Sequence, residues 1–349
     1  MKFSSAHVGK SFLQITCLTM ATYCNSAGAA AGEWCVNPKP SELPWIQRQV
    51  EQGLTSTPRA IAQIHVEGTL PHQGSWDASM EAKKDWPQMR NLAVLWKASH
   101  SQAQLQQLSE LLVAWATTYQ IDYNPIDETD LDGLLDAFII VRNDLSQDAR
   151  DSVGRWIRTF GEGYLARMEQ MPDAKSGIWA NNWNSHRVKL ASLSAVALAD
   201  RDMLRRARAQ FQAQLSRNIR ADGSTLDFEE RDAIDYVTYD LEPLLHAALA
   251  AQLAGENWYA IKGASGAGLP EALTWLQPYA LGQKSHEEFV HSSVKFDAQR
   301  RAAGLPGFSG LWDRKKAYIV YRYAALLDKQ FQPVSDSLPA VKGWLAACW

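Results

Sequence analysis

Along this chain the apolar residues recur every three or four positions and show no sustained alternation with polar ones, a spacing that builds packed helices rather than sheets. Leu105, Leu108, Leu111, Leu112 and Trp115 make one apolar stripe; Leu131, Leu134, Leu135, Phe138 and Ile139 make another. The same pattern predicts helices over about 80–99, 146–170, 184–198, 200–217, 232–252, 268–280 and 311–328, divided by clusters of Gly, Pro, Asn and Asp. Roughly a dozen helices on short polar connections predict an all-α fold of stacked helical hairpins, curving into a solenoid or an α/α toroid. No repeat of fixed period decides between the two. The longer irregular stretches 68–79, 119–128, 171–184, 218–231 and 292–311 are expected to be loops that shape a cleft.

The N-terminus has the order of an export signal: Lys2 and Lys10, the apolar run from Phe12 to Tyr23, then small residues from Ala27 to Ala31. Residues 1–31 are therefore set apart from one domain over 32–349, and a periplasmic or secreted location is expected. No later apolar run reaches membrane-spanning length. The formal charge is −3, and loss of the two lysines in the signal takes it to about −5. That excludes a general polyanion-binding surface of the kind nucleic acid requires, so cations for an anionic ligand must be concentrated locally. Of four cysteines, Cys17 and Cys24 leave with the signal, which strands Cys35 and Cys348 at the two ends of the mature chain. Termini commonly lie close together, and an oxidising compartment would join these two as a disulfide.

Candidate chemistry is concentrated in two segments. In Asn181-Asn182-Trp183-Asn184-Ser185-His186-Arg187, Asn182 and His186 are four residues apart and share a helical face, with Trp179 and Trp183 beside them. Taken alone, this pattern is met by a helix cap at Asn181 or Asn182 and a packed histidine. The second segment opens on Arg231, delivered by the turn Ala221-Asp222-Gly223-Ser224, and carries Tyr236 and Tyr239 on one face ahead of Pro243. Amide, imidazole, guanidinium and phenol together are the groups that stabilise a carboxylate while a proton moves. His286, His291, Glu287 and Glu288 make only a loose cluster without ligand spacing, and no phosphate loop, dinucleotide fingerprint or nucleophile elbow is present, so no metal or cofactor is expected.

Both segments resemble the signature stretches of the alginate-lyase superfamily of helical polysaccharide lyases. The paired Asn is Asn181-Asn182, the Asp-Gly turn is Asp222-Gly223, the Arg is Arg231, the catalytic Tyr is Tyr236, and the Leu-Pro-Pro-Leu-like close is Leu241-Glu242-Pro243-Leu244. Where alginate lyases place a His directly after the Asn pair, this chain has Trp183, and its nearest imidazole is His186, one turn later. The Asn-Asn-Trp-x-Ser-His form is similar to the glucuronan lyases of polysaccharide lyase family 38. The resemblance is specific over about 181–245 and general elsewhere, including Lys83-Lys84-Asp85-Trp86 and Asn124-Pro125-Ile126-Asp127. It implies a single α/α toroid, an incomplete barrel, that cleaves a glucuronan- or alginate-like uronic-acid polymer by β-elimination. The expected partner is an anionic polysaccharide, bound by a monomer.

Such a reaction takes the proton on C5 of the uronate, expels the glycosidic oxygen on C4 and leaves a 4,5-unsaturated end. Asn182, His186 and Arg231 would hold the carboxylate as negative charge spreads into it, where one donor is worth roughly 3 to 4 kcal/mol. Ionising a tyrosine at pH 7 costs roughly 4 kcal/mol, which a guanidinium at Arg231 would partly offset. Tyr236 matches the family, while Tyr239 lies nearer the closing motif; one tyrosine acting as base and acid gives a syn elimination, and His186 as base with a tyrosine as acid gives an anti one. Asn181, Trp179, Trp183, Lys84, Asn124 and Arg314 are further candidates for binding substrate. The fourteen tryptophans suit sugar stacking, although most must be core. Two rivals stand beside this reading: an α/α-toroid glycoside hydrolase using Glu229 or Glu230 with Asp127 or Asp85, and a noncatalytic sugar-binding protein of the cell envelope.

Overall fold

The computed structural model describes residues 1–2 and 34–349, so the expected export signal, apart from Met1 and Lys2, lies outside the described residues. Fifteen α-helices occur among the described residues: α1 (Leu43–Gly53), α2 (Trp76–Lys83), α3 (Asp85–Ser99), α4 (Gln102–Thr118), α5 (Asp132–Val141), α6 (Gln147–Glu169), α7 (Asn182–Ala197), α8 (Arg201–Asn218), α9 (Leu226–Arg231), α10 (Ile234–Leu253), α11 (Leu269–Ala280), α12 (Lys295–Ala302), α13 (Tyr318–Leu327), α14 (Gln332–Asp336) and α15 (Trp344–Cys348). Extended pairing among these residues is limited to three isolated bridges. Both apolar stripes are buried as their spacing requires, Leu105 to Trp115 on α4 and Leu134 to Ile139 on α5. The expected loops 218–231 and 292–311 contain α9 and α12, and α1, α14 and α15 also lie outside the predicted helices. Apart from α1, which runs 11 residues, these helices span one or two turns, too short for a 3.6-residue period to show in the sequence.

The helices form two layers. α3, α5, α7, α10 and α13 pack on one another in succession, while α4 packs on α3 and α6, and α6 and α8 back α7 from the other side. This alternation of inner and outer helices is the layering of an α/α toroid, and it turns the inner helices the same way, with their N-termini gathered at one end. Close approach of α5 to α3 requires Gly133, because a Cβ there would lie 2.6 Å from the carbonyl oxygen of Trp86.

Every residue of α7 except Trp183 is buried, and several of its polar groups are met by the neighbouring helices. Ser185 donates to Asp240 on α10 at 2.6 Å, Gln214 on α8 donates to Ser185 at 2.9 Å, and Asn184 donates to Gln214 at 2.8 Å. The inner helices also share charge. Arg90 of α3 lies 2.7 Å from both Asp132 and Asp136 of α5, Lys189 of α7 reaches Asp132 at 2.6 Å, and His246 of α10 lies 3.3 Å from Asp136. Burial disfavours the Asp132 carboxylate, but Lys189 and Arg90 hold its pKa well below the usual range.

Cys35 and Cys348 are joined by a disulfide, as the cysteine count predicted. Trp34 packs on Trp344 and Trp349 around it, and the Lys39 amide donates to the Ala347 carbonyl at 2.8 Å. On the opposite side of the sequence, the stretch before Thr129 is pinned by buried Glu128, which accepts from the hydroxyls of Tyr119 at 2.9 Å and of Tyr164, and from the Asp122 amide at 3.1 Å. Burial raises the Glu128 pKa to about 8 against these donors.

Two measurements follow from these ties. Cys35→Ser should lower the unfolding free energy by about 2 to 5 kcal/mol, read from denaturant midpoints against the oxidised parent, because the bridge restricts the unfolded chain. A carboxyl that binds its proton more tightly when folded contributes less stability as pH rises from its unfolded value near 4.5 to about 8. The stability advantage of the parent over Glu128→Gln should therefore shrink between about pH 5 and about pH 8; equal slopes for the two proteins would show that Glu128 does not titrate there.

Candidate active site

The expected catalytic residues meet where the inner helices begin. His186, in the second turn of α7, packs its ring 4.4 Å from that of Tyr239 on α10, and Tyr239 lies 6.0 Å from the ring of Tyr236. The Tyr236 hydroxyl accepts from Arg300 Nη1 at 2.9 Å, and the guanidinium of Arg231 sits 3.9 Å over the Tyr236 ring. Arg231 closes the short helix α9 and pairs with buried Asp297, which also accepts from Ser292 at 2.7 Å and lies 3.8 Å from Arg300. Asp297 thus aligns both guanidiniums on one phenol. The N-terminus of α10 is fixed by Glu288, whose carboxylate accepts from the amides of Ile234 at 2.8 Å and Asp235 at 3.1 Å.

The sequence predicts a phenol whose pKa is lowered by Arg231, and neither phenol is lowered. Burial raises Tyr236 above its ordinary value, and Arg231 and Arg300 only oppose that rise. Tyr239 is pushed well above by burial and by Asp130, with Tyr236 next. Two guanidiniums on Tyr236 nevertheless make it the more readily ionised of the pair. Burial, with Lys189 adding to it, holds the His186 pKa well below the usual histidine range, so this imidazole is neutral. Its Nδ1 lies 2.6 Å from the Thr129 hydroxyl, and its Nε2 has no hydrogen-bond partner.

The remaining candidates divide. Asn181 caps α7, accepting from the Trp183 amide at 3.2 Å, and lies 3.4 Å from Glu230. Asn182 shares the face of His186 but commits one amide hydrogen to buried Asp227, which also accepts from its backbone amide at 2.6 Å. Trp179 and Trp183 are half-exposed and stack on Arg187, at 3.9 and 5.8 Å from its guanidinium. The structure does not bring Lys84, Asn124 or Arg314 to this cluster. Lys84 is exposed and paired with Glu81, Asn124 accepts from the Ile126 amide in its own turn at 3.0 Å, and Arg314 donates to the Ala280 carbonyl at 3.1 Å. Each of these polar side chains is spent on holding local backbone or a surface neighbour.

The carboxylates of the hydrolase rival are likewise engaged. Asp85 accepts from Trp115 and from the Arg59 amide, and Asp127 accepts from the amides of Val66 and Glu67; both are fully buried. Glu229 is paired with Arg220. His286 and His291 both turn to Asp232, and the described residues contain no group of metal-ligating side chains.

Sequence reasoning missed Arg300, Thr129, Lys189 and Glu242. Arg300 lies in a stretch expected to be loop, and no local spacing links it to Tyr236. The Glu242 side chain is exposed, and desolvation by the surrounding protein is the first cause that raises its pKa. It stands one turn after Tyr239 on the same helix, with Lys189 and Asp132 acting on it electrostatically.

A family model for alginate lyases matches residues 25–286. Among solved structures, an alginate lyase from Bacteroides ovatus is 14% identical, with a TM-score of 0.62 over 88% of this chain and 91% of that one. Alginate lyase A1-III from Sphingomonas species A1 is 15% identical, with a TM-score of 0.56 over 85% of this chain and 89% of that one. A histidine-to-alanine variant of A1-III complexed with a tetrasaccharide is 14% identical, with a TM-score of 0.60 over 92% and 97%. Identities this low speak for a shared fold. No curated protein matches the chain in sequence. The family match covers most of the chain, and with the helical toroid it establishes that the chain belongs to the alginate lyase family.

Proposed function

We propose that this chain, a polysaccharide lyase by its family, cleaves a glucuronan- or alginate-like uronic-acid polymer by β-elimination at the Tyr236 cluster. One observation carries the reading: a phenol bonded to Arg300 and covered by Arg231 faces, across Tyr239, the imidazole that shares a helix face with Asn182. The phenolate of Tyr236 takes the C5 proton, the C4–O bond breaks as the C4–C5 double bond forms, and the proton returns to the leaving oxygen. One fragment then carries a 4,5-unsaturated uronate and the other a free hydroxyl. Burial keeps the phenolate basic enough to take the proton, and the two guanidiniums, which stabilise the phenolate, let the phenol give it up to the leaving oxygen.

Asn182 and His186 are the donors for the carboxylate, whose charge grows in the transition state. The Cys35–Cys348 bridge supports export to an oxidising compartment, periplasmic or secreted. A hydrolase is disfavoured, because Asp85 and Asp127 are sealed in the core and Glu229 is ion-paired.

A panel of uronic-acid polymers tests the reading. The parent protein should release a conjugated product that absorbs ultraviolet light from at least one of them. Tyr236→Phe should lower kcat about 10²- to 10⁴-fold and His186→Ala about 10²- to 10³-fold, both with unchanged helicity and melting. Full activity in both variants would remove the site assignment, and saturated products would turn the reading to hydrolysis.

A further inference from the structure

His186 ends a hydrogen-bond chain that begins in the charged centre of the inner helices. Lys189, one turn further along α7, is buried and directs its three N–H bonds at three acceptors: the Thr129 carbonyl at 2.9 Å, the Thr129 hydroxyl at 3.0 Å and Asp132 at 2.6 Å. An ammonium group can only donate, so the Thr129 hydroxyl accepts from Lys189 and keeps its own hydrogen for His186 Nδ1, 2.6 Å away. Were Nδ1 protonated, buried Thr129 would have to accept twice, and its hydrogen would be left without either partner. A doubly protonated imidazole meets the same obstacle and also faces Lys189, Lys83 and Arg187. Asp132, the carboxylate on this side, is neutralised by Lys189 and Arg90. The remaining hydrogen belongs on Nε2, an atom that is buried, has no partner in the protein and lies in a ring packed against Tyr239.

We propose that Lys189 and Thr129 are positioning residues that hold His186 as the neutral tautomer with its hydrogen on Nε2, ready to donate to the substrate carboxylate and unable to take the C5 proton. The tautomer follows from the hydrogen-bond geometry alone; only the identity of the acceptor rests on the lyase reading. With the imidazole fixed as a donor, base and acid duties fall to the tyrosines, and Tyr236 performing both makes the elimination syn.

The test joins spectroscopy to kinetics. Long-range proton–nitrogen correlation spectra of the intact parent, with His186 assigned by its loss in His186→Ala, should show a protonated Nε2 and a bare Nδ1. Thr129→Val should change that pattern and lower kcat about 10- to 100-fold, the range typical when a group orienting an imidazole is removed, with a smaller change in KM. Thr129→Ser keeps the hydroxyl and should restore both. A proton on Nδ1 in the parent, or Thr129→Val with unaltered spectrum and kcat, would overturn the proposal. A folded parent that cleaves no uronan would sink the lyase reading instead, and the spectra would still decide the tautomer.

Discussion

Four inner helices contribute to one buried charge cluster, and the rest of the site is arranged around it. α3 supplies Arg90, α5 supplies Asp132 and Asp136, α7 supplies Lys189 and α10 supplies His246. Buried charges are expensive to leave unmatched, so each helix is held at the rotation and height that presents its own charge to the others. α7 has the least freedom, since nearly all its surface is covered. The position of His186 is therefore a consequence of where Lys189 must stand, one turn away on the same helix. Active-site geometry and core electrostatics are the same problem in this chain.

A protein with net negative charge that is proposed to bind a polyanion must localise its attraction. The described structure does this in two ways. The inner helices direct their N-termini to the end where Tyr236 and His186 lie, and helix N-termini carry partial positive charge. Two guanidiniums, Arg231 and Arg300, are then set on one phenol by a single buried carboxylate, Asp297. Asp297 removes part of their charge but fixes their direction. Glu242, one turn after Tyr239 on α10, introduces the opposite sign beside them.

The long helices were legible because an amphipathic stripe repeats several times within each of them. Leu105 to Trp115 is buried along the face its spacing defines. The two signature segments were legible because their residues are local: Asn182 and His186 lie one turn apart, as do Tyr236 and Tyr239. What could not be read is the set of contacts across long separations. Arg300 meets Tyr236 from 64 residues away, Thr129 meets His186 from 57, and Asp227 meets Asn182 from 45, and none leaves a trace in spacing. Lys84, Asn124 and Arg314 have partners of their own away from these segments, because residue type alone does not separate a ligand-binding group from one that holds backbone. Proton affinity at Tyr236 was misjudged because a neighbouring cation is visible in a motif while the depth of burial is not.

The bridge between Cys35 and Cys348 closes the segment from 35 to 348 into a covalent loop through two side chains. A ring of this kind has no privileged point of entry. Exposed connections such as 172–177, between α6 and α7, are places where the polypeptide could be reopened while the residues flanking the bridge are fused, yielding a circular permutant with the same stacked hairpins. The order in which the hairpins emerge during synthesis is thereby separable from the architecture they reach.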